Sequence, residues 1–131
     1  MIIDTSAIMA IVRSEADHEK MARILAENRG RVRMSVGNWI ELEAVLSRSG
    51  DTVTRAVAQD VIEETRVRFE PVSIEQGEVA RAAYRKFGRG SQAAAKLNFG
   101  DCFAYALAKV SGEPLLYKGD DFVHTDIVAA V

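Results

Sequence analysis

The chain has 131 residues, of which 48% are hydrophobic and 27% charged, and its formal net charge is −2. This composition predicts one globular domain, residues 1-131, and excludes a disordered chain or a generally basic, nonspecific nucleic-acid binder. No apolar run approaches the roughly 20 residues that span a membrane, and no signal peptide is recognisable. The single Cys102 excludes an internal disulfide framework, so we expect a cytoplasmic protein.

Hydrophobic periodicity and capping residues predict strands that alternate with helices along the chain. Predicted strands span 2–3, 31–35, 67–71, 115–117 and 127–131. Predicted helices start at Ser6 and otherwise span 17–28, 36–49, 52–66, 74–87 and 99–110, with Asp17, Ser35 and Asn98 among the capping residues. This alternation predicts an α/β fold with a short, mainly parallel sheet and helices on both faces.

The opening residues Met1-Ile2-Ile3-Asp4-Thr5-Ser6 place a carboxylate directly after an apolar strand. In open α/β sheets, ligands bind at the carboxyl ends of the strands, and a carboxylate there can hold a hard cation such as Mg²⁺. Asp4 or Thr5 could equally cap the helix that follows. The stretch by itself leaves both interpretations open.

Further carboxylates follow strands or begin helices, namely Glu41, Asp101, Asp120 and Asp121. If the strands are parallel, these positions converge with Asp4 at one edge of the sheet. Clustered carboxylates resist joint ionisation unless a cation is present, and a divalent metal can also activate water beside a phosphate. The pattern therefore indicates an oxygen-liganded metal site, because two histidines and one cysteine cannot build the usual zinc sites.

Each of these acids also has a purely structural interpretation. Asp101 stands three residues after Asn98, as in a capping box, and Asp120 and Asp121 could form an ordinary acidic turn. A helical wheel places Glu43 near the apolar stripe of its helix and Glu41 on the opposite side. Periodicity alone therefore favours Glu43 as the inward-facing acid.

The opening motif, through Ala7, resembles the first motif of PIN-domain ribonucleases, in particular the VapC toxins of bacterial toxin–antitoxin pairs. Residues 35–42, SVGNWIEL, resemble the second motif, whose glutamate falls on Glu41. Residues 98–108, NFGDCFAYALA, resemble the third motif, whose metal-binding aspartate falls on Asp101. Residues 114–122 resemble the closing strand and its acidic turn. The ordered set implies a PIN-like three-layer sandwich.

This resemblance implies a metal-dependent endoribonuclease that hydrolyses RNA phosphodiester bonds with metal-activated water. Asp4 and Asp101 would hold Mg²⁺, with Mn²⁺ as a possible substitute, and Glu41 and Asp121 would complete the catalytic pocket. Thr5 or Ser6 would orient a ligand or the water.

The implied partners are an RNA substrate, a VapB-type antitoxin that neutralises the toxin, and a second copy of the chain. Apolar residues of the helices between 36 and 66, such as Trp39, Val57 and Ile62, are candidates for that homodimer interface.

The chain departs from the family pattern at Gly119, where many members carry a fourth Asp or Asn. Asp120 or Asp121 could take over that role, and we expect Asp121 to do so. For the second motif we take Glu41 over Glu43, because the motif spacing from Ser35 is more specific than a wheel drawn on an uncertain helix start.

A basic segment, residues 79–100, contains no acidic residue. Its charged residues are Arg81, Arg85, Lys86, Arg89 and Lys96, a formal charge of +5. Such a segment can steer an RNA backbone towards a site that would otherwise repel it. Tyr84 could stack on an unpaired base, but we favour a solvated helix with Tyr84 and Phe87 partly in the core.

Two other functions are compatible with parts of this pattern. Haloacid-dehalogenase-like phosphatases also begin with an aspartate after the first strand, but they need a second Asp two residues later, where this chain has Ser6. A catalytically weak PIN-like RNA-binding or protein-interaction module would tolerate Gly119. Retention of Asp4, Glu41 and Asp101 argues against such a module.

Overall fold

The computed structural model describes residues 1–131. Four short strands form one parallel sheet in the order β3-β2-β1-β4. In chain order the elements are β1 (Ile2–Ile3), α1 (Thr5–Val12), α2 (His18–Glu27), β2 (Arg33–Ser35), α3 (Val36–Ser49), α4 (Thr52–Thr65), β3 (Arg68–Glu70), α5 (Ile74–Phe87), α6 (Asp101–Ser111) and β4 (Leu115–Leu116). The predicted α/β fold is confirmed.

Successive residues of the central strands point to two separate cores, one on each face of the sheet. Ile3 and Leu116 pack with apolar residues of α1 to α4. Ile2 and Leu115 pack on the other face with residues of α5, α6 and the loop between them. Because side chains alternate across a strand, two residues suffice to anchor both layers. The result is the expected sandwich of helices, sheet and helices.

Local capping defines the helix that follows β2. The Ser35 hydroxyl accepts a hydrogen bond from the Gly37 N–H at 3.2 Å, and Gly50 ends the helix in the left-handed conformation. The predicted bounds of α3 are therefore confirmed. Helix α6 begins at Asp101, two residues later than predicted, because residues 99 and 100 form a turn.

Two predictions are wrong. Asp17 does not cap α2: its backbone is left-handed and its carboxylate pairs instead with Lys118 at 3.1 Å. Residues 127–131 form no strand, because their pairing with β4 is limited to a single bridge between Ala129 and Leu115. Local sequence patterns cannot predict either outcome, because both depend on a partner more than ten residues away in the chain.

None of the helices combines the length and apolar character needed to cross a bilayer.

Candidate active site

Asp4 lies at the carboxyl end of β1 and is almost fully buried. Its Oδ2 accepts hydrogen bonds from the Ser6 N–H at 2.9 Å and from the Ser6 hydroxyl at 2.5 Å. The Ser6 Oγ in turn accepts from the Lys118 N–H at 3.0 Å, after β4. Asp4 therefore caps α1 and also faces the carboxyl edge of the sheet. Its role as a helix cap is thus compatible with a role as a metal ligand.

Asp101 is the first residue of α6 and is also buried. The Asn98 N–H donates to Asp101 Oδ2, and the Asp101 N–H donates to Asn98 Oδ1, both at 2.8 Å. These reciprocal bonds form the predicted capping box. The box fixes one carboxylate oxygen and so sets the orientation of the whole group.

The electrostatics show that these carboxylates form one cluster. Burial is the main cause that raises the pKa of Asp4 to about 6, with a smaller contribution from Glu41 and opposition from the Ser6 hydrogen bonds. Burial, then the charge of Asp4, raises the pKa of Asp101 to about 7, and Asp121 and Glu41 add to this. None of the ion pairs of the chain involves Asp4, Glu41, Asp101 or Asp121. The site holds negative charge that the chain does not neutralise.

The structure brings Glu41, not Glu43, to this cluster. A Glu41 oxygen accepts from Asn38 Nδ2 at 3.3 Å, and its carboxylate lies directly against Gly100. Glu43 is exposed and pairs with Arg55 at 2.6 Å. The wheel placed Glu43 near a stripe formed by Val36, Trp39, Ile40 and Leu46. Its preference for Glu43 is wrong because Trp39 and Ile40 are 48% and 64% exposed, so that stripe is not the buried face of α3.

Asp121 and Asp120 also separate in space. Asp121 is close enough to Asp101 to raise its pKa, whereas Asp120 lines a surface cleft with Asp17 and Lys20. Gly119 has a φ of +99°, a conformation that disfavours other residues. An acid at position 119 would strain this turn, which gives a physical reason for the departure from the family pattern.

Asn38 is a site residue that the sequence interpretation missed. It is fully buried, and its Nδ2 faces the Gly100 carbonyl at 3.0 Å, Glu41 at 3.3 Å and Asp4 Oδ1 at 3.5 Å. Its Oδ1 has no hydrogen-bond partner. The available signal was its spacing: Asn38 stands one helical turn before Glu41 and therefore on the same side of α3.

The donor set suits a divalent cation. No three acidic, histidine or cysteine side chains approach closely enough to enclose a metal ion by themselves. Mg²⁺ usually binds one or two protein carboxylates and retains several waters, so Asp4 and Asp101 would suffice. Their raised pKa values and the unpartnered Asn38 Oδ1 are features that a bound cation and its waters would relieve.

Most charges of the basic segment point to solvent. Arg85, Lys86 and Arg89 are exposed, whereas Lys96 folds back onto the carbonyls of its own loop, at 2.7 Å from that of Ala93. Phe87 is buried and Tyr84 is 43% exposed, which agrees with the prediction of a solvated helix whose aromatic residues lie partly in the core.

The PIN domain family profile matches residues 1–128, and the chain belongs to the PIN-domain family. It is 47% identical to the ribonuclease VapC28 of Mycobacterium tuberculosis over 100% of this chain and 98% of that protein. It is 44% identical to the ribonuclease VapC42 of the same species over 97% of this chain and 96% of that protein. Within the PIN family it therefore belongs among the VapC ribonucleases.

Solved structures share the fold at low sequence identity. The crystal structure of Mycobacterium tuberculosis VapC20, described as a Sarcin-Ricin loop cleaving toxin, superposes with a TM-score of 0.74 at 23% identity, covering 97% of this chain and 95% of that one. A toxin–antitoxin complex from Klebsiella pneumoniae gives a TM-score of 0.69 at 13% identity, covering 98% and 95%. These likenesses support the PIN-like architecture.

Proposed function

We propose that this chain is the endoribonuclease toxin of a VapBC-type pair, which hydrolyses RNA phosphodiester bonds with a divalent cation. The observation that carries the proposal is the cluster of two buried acids, Asp4 and Asp101, with the partly exposed Glu41, none of which forms an ion pair with a basic side chain, in a chain 42–47% identical to VapC ribonucleases. A phosphate substrate would be repelled by such a cluster unless a cation intervened.

The side chains have distinct roles in this proposal. Asp4, fixed by Ser6, and Asp101, fixed by Asn98, would hold Mg²⁺ or Mn²⁺. When bound, the cation supplies positive charge to the phosphate and lowers the pKa of water. Glu41 and Asp121 would complete the acidic pocket, where one of the two carboxylates could take the proton that the attacking water loses.

Cleavage of a mixed pool of structured RNA by antitoxin-free protein tests the reaction. We expect cutting with Mg²⁺ or Mn²⁺, none with chelator, and a loss of at least about 100-fold in Asp101→Asn, which can keep the capping bond to Asn98 but not the charge. A folded protein that binds RNA without cutting it under any of these conditions would identify a catalytically weak RNA-binding module instead.

Two acid pairs provide matched controls for the residue assignments. Glu41→Gln and Asp121→Asn should slow cleavage, whereas Glu43→Gln and Asp120→Asn, which alter exposed acids one or two residues away, should leave it near wild type. Equal losses within either pair would overturn the assignment for that pair.

The toxin interpretation is tested in cells. Asp4→Ala should abolish growth inhibition at unchanged expression, and co-expression of the cognate antitoxin should restore growth with the wild-type toxin. Continued toxicity of a soluble Asp4→Ala variant would contradict the role of Asp4.

We further propose a homodimer in the cytoplasm, formed through α3 and α4. Trp39 is half exposed and stacks on Phe69 with ring centroids 4.3 Å apart, and Ile62 of α4 lines the same groove. Val57 is 36% exposed on α4 outside this groove. Light scattering of the wild type and of Val57→Asp tests this. A wild type that stays monomeric at high concentration would contradict it.

A further inference from the structure

Phe99 is 76% exposed although it lies in the turn that directly precedes Asp101, the first residue of α6. Among the large apolar side chains, only Ile74, at 85%, is more exposed, and it begins α5. A single exposed apolar residue is ordinary on a protein surface. Phe99 differs from such a residue in two respects. Its ring packs on a second aromatic ring, and charged residues lie near it in the chain.

The Phe99 ring packs against a second aromatic ring of α6. It packs edge to face with Phe103, with ring centroids 5.1 Å apart and an interplanar angle of 82°. The Phe103 ring lies so close to Gly37 that a Cβ there would overlap it. The backbone at residue 99 lies between the two partners of the Asn98–Asp101 capping box. The aromatic surface is thus pre-organised while most of it remains in solvent.

The groups flanking Phe99 in the chain have opposite charges. Phe99 itself lies within the basic segment, and the Arg89 N–H donates to the Leu97 carbonyl at 2.9 Å, so the backbone of Arg89 lies beside the residues that lead into Phe99. Asp101 follows two residues later on the other side. Phe99 therefore belongs to a stretch of chain that carries exposed cationic side chains and leads directly into the candidate active site.

We propose that Phe99 stacks on an unpaired base of the RNA next to the scissile phosphate and so selects unpaired nucleotides for cleavage. This inference rests on the proposed ribonuclease function. Aromatic side chains stack on splayed or single-stranded bases, whereas both faces of a base within a duplex are covered by its neighbours. The adjacent positive charge favours a polyanion over an apolar protein segment as the occupant.

Binding of a short fluorescein-labelled single-stranded RNA of random sequence, in chelator, tests the contact apart from catalysis. Phe99→Ala and Phe99→Leu should each weaken binding roughly 5- to 100-fold, and Phe99→Trp should retain it. Phe99→Leu keeps an apolar side chain on Phe103 but lacks a π face, so it separates stacking from packing. The control Ile74→Ala, which removes a comparably exposed apolar side chain, should bind as the wild type.

A spectroscopic signature tests stacking directly. In the double variant Trp39→Phe/Phe99→Trp, residue 99 is the only tryptophan, because the chain contains one. Its fluorescence should be quenched by the single-stranded RNA and little changed by a duplex of the same sequences. In the cleavage assay with Mg²⁺, the loss in Phe99→Ala should appear mainly in KM.

The outcomes separate this inference from the function on which it rests. If the wild type neither binds nor cuts RNA, the ribonuclease proposal fails and the stacking inference falls with it. If the wild type cuts RNA and Phe99→Ala matches it in affinity, KM and preference for unpaired substrate, only the stacking inference is overturned. Loss of antitoxin binding in Phe99→Ala with RNA binding unchanged would likewise overturn it and assign the ring to a protein partner.

Discussion

Asn38 joins three parts of the chain through a single amide. Its Nδ2 contacts the residue after β1, its own helix and the turn before α6, and Thr5 Oγ1 donates to its backbone carbonyl at 3.1 Å. A buried amide in contact with two carboxylates offsets part of their repulsion. We therefore regard Asn38 as a positioning residue for Glu41 and Asp4.

Substitution of Asn38 should distinguish lost positioning from added charge. Asn38→Ala should lower the free energy of unfolding by about 1–3 kcal/mol, since it leaves the Gly100 carbonyl without its donor. Asn38→Asp should destabilise more at pH 7.5, because it adds a buried carboxylate, and the difference should shrink at pH 5 as the acids protonate. Urea unfolding at both pH values measures this; a larger gap at pH 5 would contradict it.

The raised pKa values of Asp4 and Asp101 predict an unusual pH dependence. Both carboxyls have pKa values above their ordinary value of 3.8, at about 6 and about 7, so between pH 4 and 7 the folded chain binds more protons than the unfolded chain. Stability therefore falls as pH rises through this range. We expect the metal-free protein to lose on the order of 4 kcal/mol between pH 5 and 7.5.

Urea unfolding in chelator measures this slope, and Asp101→Asn should flatten it. The pKa values of Glu113 and Asp126 are lowered, so both acids are ionised throughout the window and do not produce the effect. Added Mg²⁺ should stabilise the protein more at pH 7.5 than at pH 5, since it binds the ionised carboxylates. A stability that rises from pH 5 to 7.5 without metal would contradict the assignment.

At the scale of elements, the site depends on how closely α3 approaches the N-terminal turn of α6. Gly100 permits this approach, because a Cβ at that position would overlap the Glu41 carboxylate. Gly37 of α3 likewise permits close contact with α6, because a Cβ at that position would overlap the Phe103 ring. Gly37 and Gly100 lie in the second and third motifs that resemble those of PIN-domain ribonucleases. Close contact between helices, rather than backbone flexibility, thus explains why glycine occupies both positions.

Gly100→Ala tests this contact. Its backbone is right-handed helical, so alanine causes no strain there, and the added methyl must displace Glu41. We expect at least about a tenfold loss of cleavage with little change in the circular dichroism spectrum. Gly77→Ala, in the open interior of α5, is the matched control and should be neutral in activity and more stable by about 0.5–1 kcal/mol. Wild-type cleavage by Gly100→Ala would contradict the positional role of Glu41.

At the scale of the whole molecule, positive charge is concentrated in one segment of a chain that is acidic overall. The net charge is −2, yet the basic segment carries five cationic side chains and no acid. The long-range field of the molecule therefore repels RNA on average, while the exposed basic surface beside the site attracts it locally.

Charge reversal at two positions tests this local attraction. Arg85→Glu/Arg89→Glu should weaken binding of single-stranded RNA by at least about tenfold at low salt and reduce the salt dependence by roughly 0.7 per lost phosphate contact. Arg23→Glu/Arg48→Glu makes the same change in net charge on exposed positions of α2 and α3. Equal losses in both double variants would show that only net charge matters.

The sequence by itself determined the elements whose signals are local. The bounds of α3 and α5, the strand before Asp4 and the capping box at Asn98 each depend on hydrogen bonds or periodicity within a few residues. The family motifs added Asp4, Glu41 and Asp101 as candidate site residues, and the fold that they implied is confirmed.

Only the tertiary structure decided which acids face one another. Glu41 rather than Glu43, and Asp121 rather than Asp120, lie with Asp101 because distant segments pack against the sheet, and no local pattern records that packing. The same holds for Asn38, whose acceptors come from residues 4, 41 and 100. Local hydrogen bonds set where helices begin and end, whereas the burial of side chains between elements sets which face of a helix meets the site.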